Sequence, residues 1–328
     1  MRFQRNSFLI IVAAVFLLAF PFIVESGYVR HLAVMAGIYV ILAMSYNLIV
    51  GYVGALSLGH HAFFGIGAYT STLLVMKANI PFALAILSAG LLSAVFAVLI
   101  AVPSFRLSYH SFAIGTLGFG VIIYQVLTNW VALTNGPMGI TGIPKPSFHL
   151  PGLGELRIET IPTYYYFILV LVALTLLTLH RMVHSRIGRA FMAVRENETL
   201  AETFGVDALK YKIMAFAIGA FFAGVAGSAY AHYIGFIAPD LVWFYFLILL
   251  LVMVIAGGAG TFYGVVAGAI IFTALPEILR MAPEIRDILY GAILIMTVIY
   301  APEGLGGVVK RRVPRPQEEA SKKGEAEG

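Results

Sequence analysis

Residues 81–102 read PFALAILSAGLLSAVFAVLIAV, with no charged side chain and only Ser88 and Ser93 as hydroxyl groups. In hydrocarbon every backbone N–H and C=O must be bonded within the segment, so an apolar run of this length is expected to be a helix. At about 1.5 Å per residue such a run crosses an apolar core about 30 Å thick. Working outward from it, comparable runs lie at 8–24, 32–50, 55–76, 112–133, 162–180, 213–236, 241–256, 262–281 and 285–301. The expected fold is all-α, a polytopic membrane bundle of about ten helices. Residues 1–306 form one transmembrane domain in this reading, and 307–328, rich in Pro, Glu, Lys and Gly, form a solvated tail.

Composition agrees. The 328 residues are 60% hydrophobic and 11% charged, where a soluble domain carries about a quarter charged. No cysteine is present, which excludes disulfides and thiolate metal sites. The net charge of +5 could suggest nucleic acid, but the basic residues sit in short loops and at the ends. The N-terminus has Arg2 and Arg5, the 103–111 loop Arg106, the 181–212 loop Arg181, Arg186, Arg189, Arg195, Lys210 and Lys212, and the tail Lys310, Arg311, Arg312, Arg315, Lys322 and Lys323. Ten spans place all of these on one side and leave Arg30, Lys77, Lys145, Arg157, Arg280 and Arg286 on the other. The positive-inside rule then puts both termini in the cytoplasm. Basic residues before an apolar run also suit a signal peptide. Val24-Glu25-Ser26 is a poor cleavage site, so a retained helix is expected.

Two glycine clusters interrupt the pattern. Gly51, Gly54 and Gly59 lie in the first, Gly257, Gly258 and Gly260 in the second. Two readings fit each cluster: a tight interhelical turn with small-residue packing, or a broken helix lining a solute path. Polar residues in or beside the first cluster, Asn47, Ser57, His60, His61, Tyr69 and Thr70, are the candidates for such a path. Each could equally bond a neighbouring helix.

The 181–212 loop is expected to fold as two short amphipathic helices, the second capped by Asn197 and stopped by Gly205. Leu200 and Phe204 are four apart and share a face. That face suits docking to a cytosolic protein or lying on headgroups. No G-x-x-x-x-G-K-[ST] sequence occurs, so the chain has no P-loop of its own. No expected span has a carboxylate at its centre, which speaks against a proton-coupled carrier. No residue set has metal-ligand spacing, and no nucleophile is paired with a base. The chain therefore reads as a non-enzyme.

Asn47-Leu48-Ile49-Val50-Gly51-Tyr52-Val53-Gly54, Leu56-Ser57-Leu58-Gly59-His60 and Ala62-Phe63-Phe64-Gly65-Ile66-Gly67-Ala68-Tyr69 resemble the signature of branched-chain amino acid ABC transporter permeases, most closely the LivM-type subunit. Asn135-Gly136-Pro137-Met138-Gly139-Ile140-Thr141-Gly142-Ile143-Pro144, the Gly188-to-Gly205 loop, Tyr211-Lys212 with Ala223-Gly224-Val225-Ala226-Gly227, Gly257-Gly258-Ala259-Gly260-Thr261 and Pro302-Glu303-Gly304-Leu305 follow in the family's order. Ala55, His61, Val121 and Val265 depart from its usual residues, and related permeases move urea or short amides. The resemblance implies a prokaryotic cytoplasmic (inner) membrane, a second homologous permease, two cytosolic ATPases that bind ATP and Mg, and an extracytoplasmic binding protein delivering an amino acid. This chain would bind no cofactor. The family's coupling helix would fall at 197–205, with Leu200, Ala201, Glu202, Phe204 and Gly205 as contacts. A secondary transporter or channel working without ATP is the competing class.

Overall fold

The computed structural model describes residues 17–105, 109–150 and 154–278, with residues 292, 295 and 296. The expected span at 285–301, most of the one at 8–24 and the 307–328 tail lie outside them. Residues 17–23 are helical. They meet the sixth helix of the bundle, where Tyr165 and Tyr166 donate to the carbonyls of Leu17 and Leu18.

Helix α1 (Gly27–Asn47) runs on through a π-helical segment, Leu48–Val53, and ends at Gly54 with φ +80°. Helices α2 (His60–Met76), α3 (Phe82–Ser104) and α4 (Tyr109–Asn129) follow. A single turn, α5 (Val131–Thr134), comes next. Helix α6 (Ile161–Val183) leads into two short helices, α7 (Arg186–Glu196) and α8 (Glu198–Thr203). The long α9 (Ala208–Ile234), α10 (Phe244–Gly257) and α11 (Phe262–Ile278) complete the described bundle. Five segments are long and apolar enough to cross a membrane: Gly27–Val53, Phe82–Ser104, His110–Asn129, Ile161–Val183 and Ala208–Ile234. Helices α10 and α11 are shorter and also apolar, and α2, 17 residues long, is mostly buried. Among the described residues no span carries a carboxylate at its centre.

Helix α9 is the hub, packed along α1, α2 and α3, while α1 also contacts α6 and α11. Small residues let the backbones meet. A Cβ added at Gly67 of α2 would collide with the backbone of Gly224 on α9. Aromatic rings fill the remaining space, with Phe63 edge-on to Phe216 and Phe105 stacked on Phe112 at 4.2 Å.

Successive helices alternate in direction, so the molecule has two distinct ends. One end carries α7, α8 and both glycine clusters. There the Lys212 ammonium stands 5.9 Å from the Phe105 ring centre and pairs with Glu198 at 2.5 Å. At the opposite end the Lys77 ammonium donates to the carbonyls of Ala132 and Leu133, and two antiparallel ribbons form. Strand β1 (Ile140–Thr141) pairs with β4 (Phe236–Ile237), and β2 (Ser147–Leu150) pairs with β3 (Gly154–Arg157) in the register Ser147 to Arg157.

One expected span changes shape. Residues 55–76 do not form a single helix, because the chain is irregular from Gly54 to Gly59 and α2 begins only at His60. The His60 ring bonds Ser45 at 3.0 Å. Ser45 lies eight positions before Val53, which places the start of α2 roughly 12 Å into the bundle at 1.5 Å per residue.

Candidate functional site

Non-helical backbone at this depth survives only where protein satisfies it, and the surrounding contacts do so. The Tyr46 hydroxyl donates to the carbonyl of Ser57 at 2.7 Å, and the amide of Leu58 donates to Thr116 Oγ1 at 3.0 Å. Ala55, Ser57, Gly59, His60 and His61 are all buried. The first glycine cluster is thus a broken helix inside the bundle. The second is different in kind. Gly257–Thr261 makes a tight turn joining the antiparallel α10 and α11, with Gly258 at φ +100° and Gly260 at φ +83°. The amide of Thr261 closes it on the carbonyl of Gly258 at 2.9 Å.

The two clusters touch. A Cβ on Gly51 would collide with Asn47 Oδ1 and the backbone nitrogen of Gly260. Asn47 bridges them: the amide of Gly260 donates to its Oδ1 at 2.8 Å, and its Nδ2 donates to the carbonyl of Thr261 at 3.1 Å. Asn47, expected as a path residue, is therefore committed to the second turn. His60 is packed between the rings of Tyr46 and Phe63 and bonded to Ser45. Thr70 donates back to the carbonyl of Ile66 within its own helix. Ser57 Oγ, the Nδ1 atoms of His60 and His61, and the Tyr69 hydroxyl are buried without a hydrogen-bond partner. These four unpaired groups of the sequence-derived set are spread from the break along α2, with the His60 ring against α1 and α9, the His61 ring against Gly120 of α4, and Tyr69 nine positions beyond His60.

The loop end folds for local reasons. Ser185 caps α7 by accepting from the amide of Ile187 at 3.1 Å. Asn197 caps α8 by accepting from Leu200 at 2.9 Å, and Asp207 caps α9 by accepting from Lys210 at 3.0 Å. Helix α7 seats Phe191 and Val194 on the bundle. Helix α8 ends at Phe204 and Gly205, the latter at φ +80°. Leu200 is 55% exposed and Phe204 81% exposed, side by side on the open face. Glu202 is also exposed. Ala201, expected among the contacts, faces inward instead. It is 5% exposed in a cluster with Val194 and Ala208, because the helix turns the residue after Leu200 toward α7 and α9.

Arg195 was legible only as one of the basic residues on the charged side. In the fold its guanidinium reaches back from the last turn of α7 and donates to the carbonyl of Gly51. Nothing in the loop's own sequence pattern signals that contact, which depends on the freed end of α1.

Residues 28–298 match the family described as branched-chain amino acid transport system, permease component. The high-affinity branched-chain amino acid transport system permease protein LivM of Escherichia coli K12 is 32% identical over 319 residues, covering 92% of this chain and 75% of that protein. The probable branched-chain amino acid transport permease protein LivM of Methanocaldococcus jannaschii is 25% identical, covering 82% of this chain and 90% of that protein. The LivH permease protein of the E. coli system is 26% identical, covering 82% of this chain and 91% of that protein. No solved structure matches the chain.

Proposed function

Since this chain belongs to the permease family of branched-chain amino acid transport systems, as a LivM-type multi-pass membrane subunit, we propose that it moves branched-chain or related amino acids inward, driven by ATP hydrolysed on separate chains. The observation that carries this reading is the open apolar pair Leu200 and Phe204, presented on a capped helix at one end of an otherwise lipid-facing bundle. Large apolar side chains exposed together at a helix end suit an anchor seated in a protein groove. Glu202 and Gly205 border that pair and complete the contact surface, with Ala201 serving as its base.

In the proposed assembly the chain pairs with a second, homologous permease. Two cytosolic ATPases carry ATP and Mg, and a binding protein delivers solute to the ribbon-bearing end. The α7–α8 end is cytoplasmic, as are both termini of a chain with about ten spans. The membrane is the cytoplasmic membrane of a prokaryote. Closure of the ATPases displaces α8 and switches the bundle between outward and inward access, a rigid-body change. The broken helix supplies the polar part of the path. The start of α2 turns the positive end of a helix dipole into the bundle, beside Ser57, His60 and His61, with Tyr69 further along. A carboxylate is the amino-acid group that suits such an end.

The test is reconstitution of this permease with its companion permease, the ATPases and the binding protein in vesicles. Branched-chain amino acid uptake that needs ATP and all subunits supports the proposal. Full-rate uptake by the permeases alone would establish the ATP-independent transporter reading instead. Uptake of urea or amides in place of amino acids would keep the mechanism and change the solute.

A further inference from the structure

We infer that Arg195 is a positioning residue for transport, the latch by which movement of the α7–α8 loop is carried to both glycine segments at once; this rests on the proposed function. Its backbone sits in the last turn of α7, two residues before the Asn197 cap of α8, so the residue moves with the exposed docking helix. The stem of the side chain lies on Gly54, where an added Cβ would stand 2.8 Å from Arg195 Cγ. The tip donates through Nη1 to the carbonyl of Gly51, and the same Nη1 lies against Gly260. A single side chain therefore touches the end of α1 and the α10–α11 turn.

The chemistry favours a guanidinium at this place. Gly51 lies in the final turn before the Gly54 stop, where the helix has run out of amide donors and its carbonyls carry partial negative charge. A cationic donor there satisfies an orphan acceptor and opposes that charge. Among the described residues no carboxylate forms an ion pair with Arg195, so its contact is with the backbone of the break. The guanidinium is also a rigid planar fork with five donors, whereas an ammonium is a single point of charge. Asn47 closes the joint from the other side by holding Gly260 and Thr261 to α1. Docking loop, broken helix and tight turn thus share one junction, with Arg195 as the member that belongs to the loop.

The experiment uses the reconstituted complex, with Arg195→Ala and Arg195→Lys beside the unaltered chain. Amino-acid uptake and ATP hydrolysis are measured in the same vesicles, and retention of the ATPases is measured by co-purification. Losing one hydrogen bond to a charged group changes a local equilibrium by ~10–100-fold. Uptake per ATP hydrolysed is expected to fall at least ~10-fold in Arg195→Ala with the ATPases still bound, and to fall less in Arg195→Lys. Unchanged uptake per ATP overturns the latch, as does loss of ATPase binding in parallel with uptake. If the unaltered complex shows no ATP-dependent uptake, the proposed function fails, and a second measurement decides the latch alone. Because the chain has no cysteine, Glu202→Cys and Tyr263→Cys, both at exposed positions, can carry spin labels on α8 and α11. Their distance distribution is expected to broaden on adding Arg195→Ala. An unaltered distribution overturns the latch.

Discussion

Phe204→Ala separates docking from folding. The ring is 81% exposed and stands at the end of α8, where its amide, not its side chain, closes the helix on the carbonyl of Ala201. A phenylalanine buries about 200 Å² when fully enclosed. With four-fifths of that still open, burial in a groove would remove about 160 Å² from water, worth at most about 4 kcal/mol at 25 cal/mol per Å². Ordering costs and the retained Cβ reduce this to about 2–3 kcal/mol, the range of truncated anchor residues, or roughly 30–150-fold in affinity. The fold should lose about 0.5 kcal/mol or less, as for other exposed substitutions. Titration of labelled ATPase onto the permease in nanodiscs gives the affinity, and thermal unfolding of the permease alone gives the control. Phe204→Asp should weaken docking further, since a carboxylate would enter the groove unpaired. An ATPase affinity within twofold of the unaltered chain, with unfolding unchanged, would refute the docking argument.

Asn47→Ala should destabilise the permease by about 1–3 kcal/mol, because it removes the partner of the part-buried amide of Gly260 and carbonyl of Thr261; a lowered thermal midpoint in detergent checks it. His60→Ala should depress amino-acid uptake more than complex assembly if the start of α2 serves the path. Uptake kinetics identical to those of the unaltered chain would leave His60 only its packing against Ser45, Tyr46 and Phe63.

Hydropathy located the five long apolar helices at 27–53, 82–104, 110–129, 161–183 and 208–234, since an apolar run leaves a mark on every residue. Their ends were less visible. Helix α9 starts at Ala208, not 213, because Lys210 and Lys212 read as loop. Lys212 instead lays its stem along the bundle, over Phe105 and toward Glu198. The irregular stretch before His60 was hidden for the opposite reason: Ala55, Leu56 and Leu58 are as apolar as any helix, and only the flanking glycines marked the break. The ribbons between 140 and 157 are too short to show strand periodicity. The α7–α8 hairpin, by contrast, followed from its caps and amphipathic spacing. What the local pattern could not disclose was contact between distant segments, as at Asn47 with Gly260 and Arg195 with Gly51.

The role of Arg195 can also be reached without touching Arg195. Gly54 and Gly235 both end helices in the left-handed region, at φ +80° and +75°. Alanine at either position costs about 1–2 kcal/mol for that backbone conformation. Their surroundings differ. A Cβ at Gly235 would meet nothing nearer than the carbonyl of Ile143 at 3.8 Å, while at Gly54 it would lie 2.8 Å from Arg195 Cγ. Gly54→Ala must therefore push the Arg195 stem off the end of α1, and Gly235→Ala moves no such group. Gly54→Ala is expected to lose more thermal stability than Gly235→Ala, since it adds displacement of Arg195 to the same backbone strain, and only Gly54→Ala should lower uptake per ATP toward the level of Arg195→Ala. Combined with Arg195→Ala, Gly54→Ala should add no further loss of coupling, since interacting residues are not additive. Equal coupling in Gly54→Ala and Gly235→Ala would mean that the position of the guanidinium does not matter, and the junction would be no more than a packing contact.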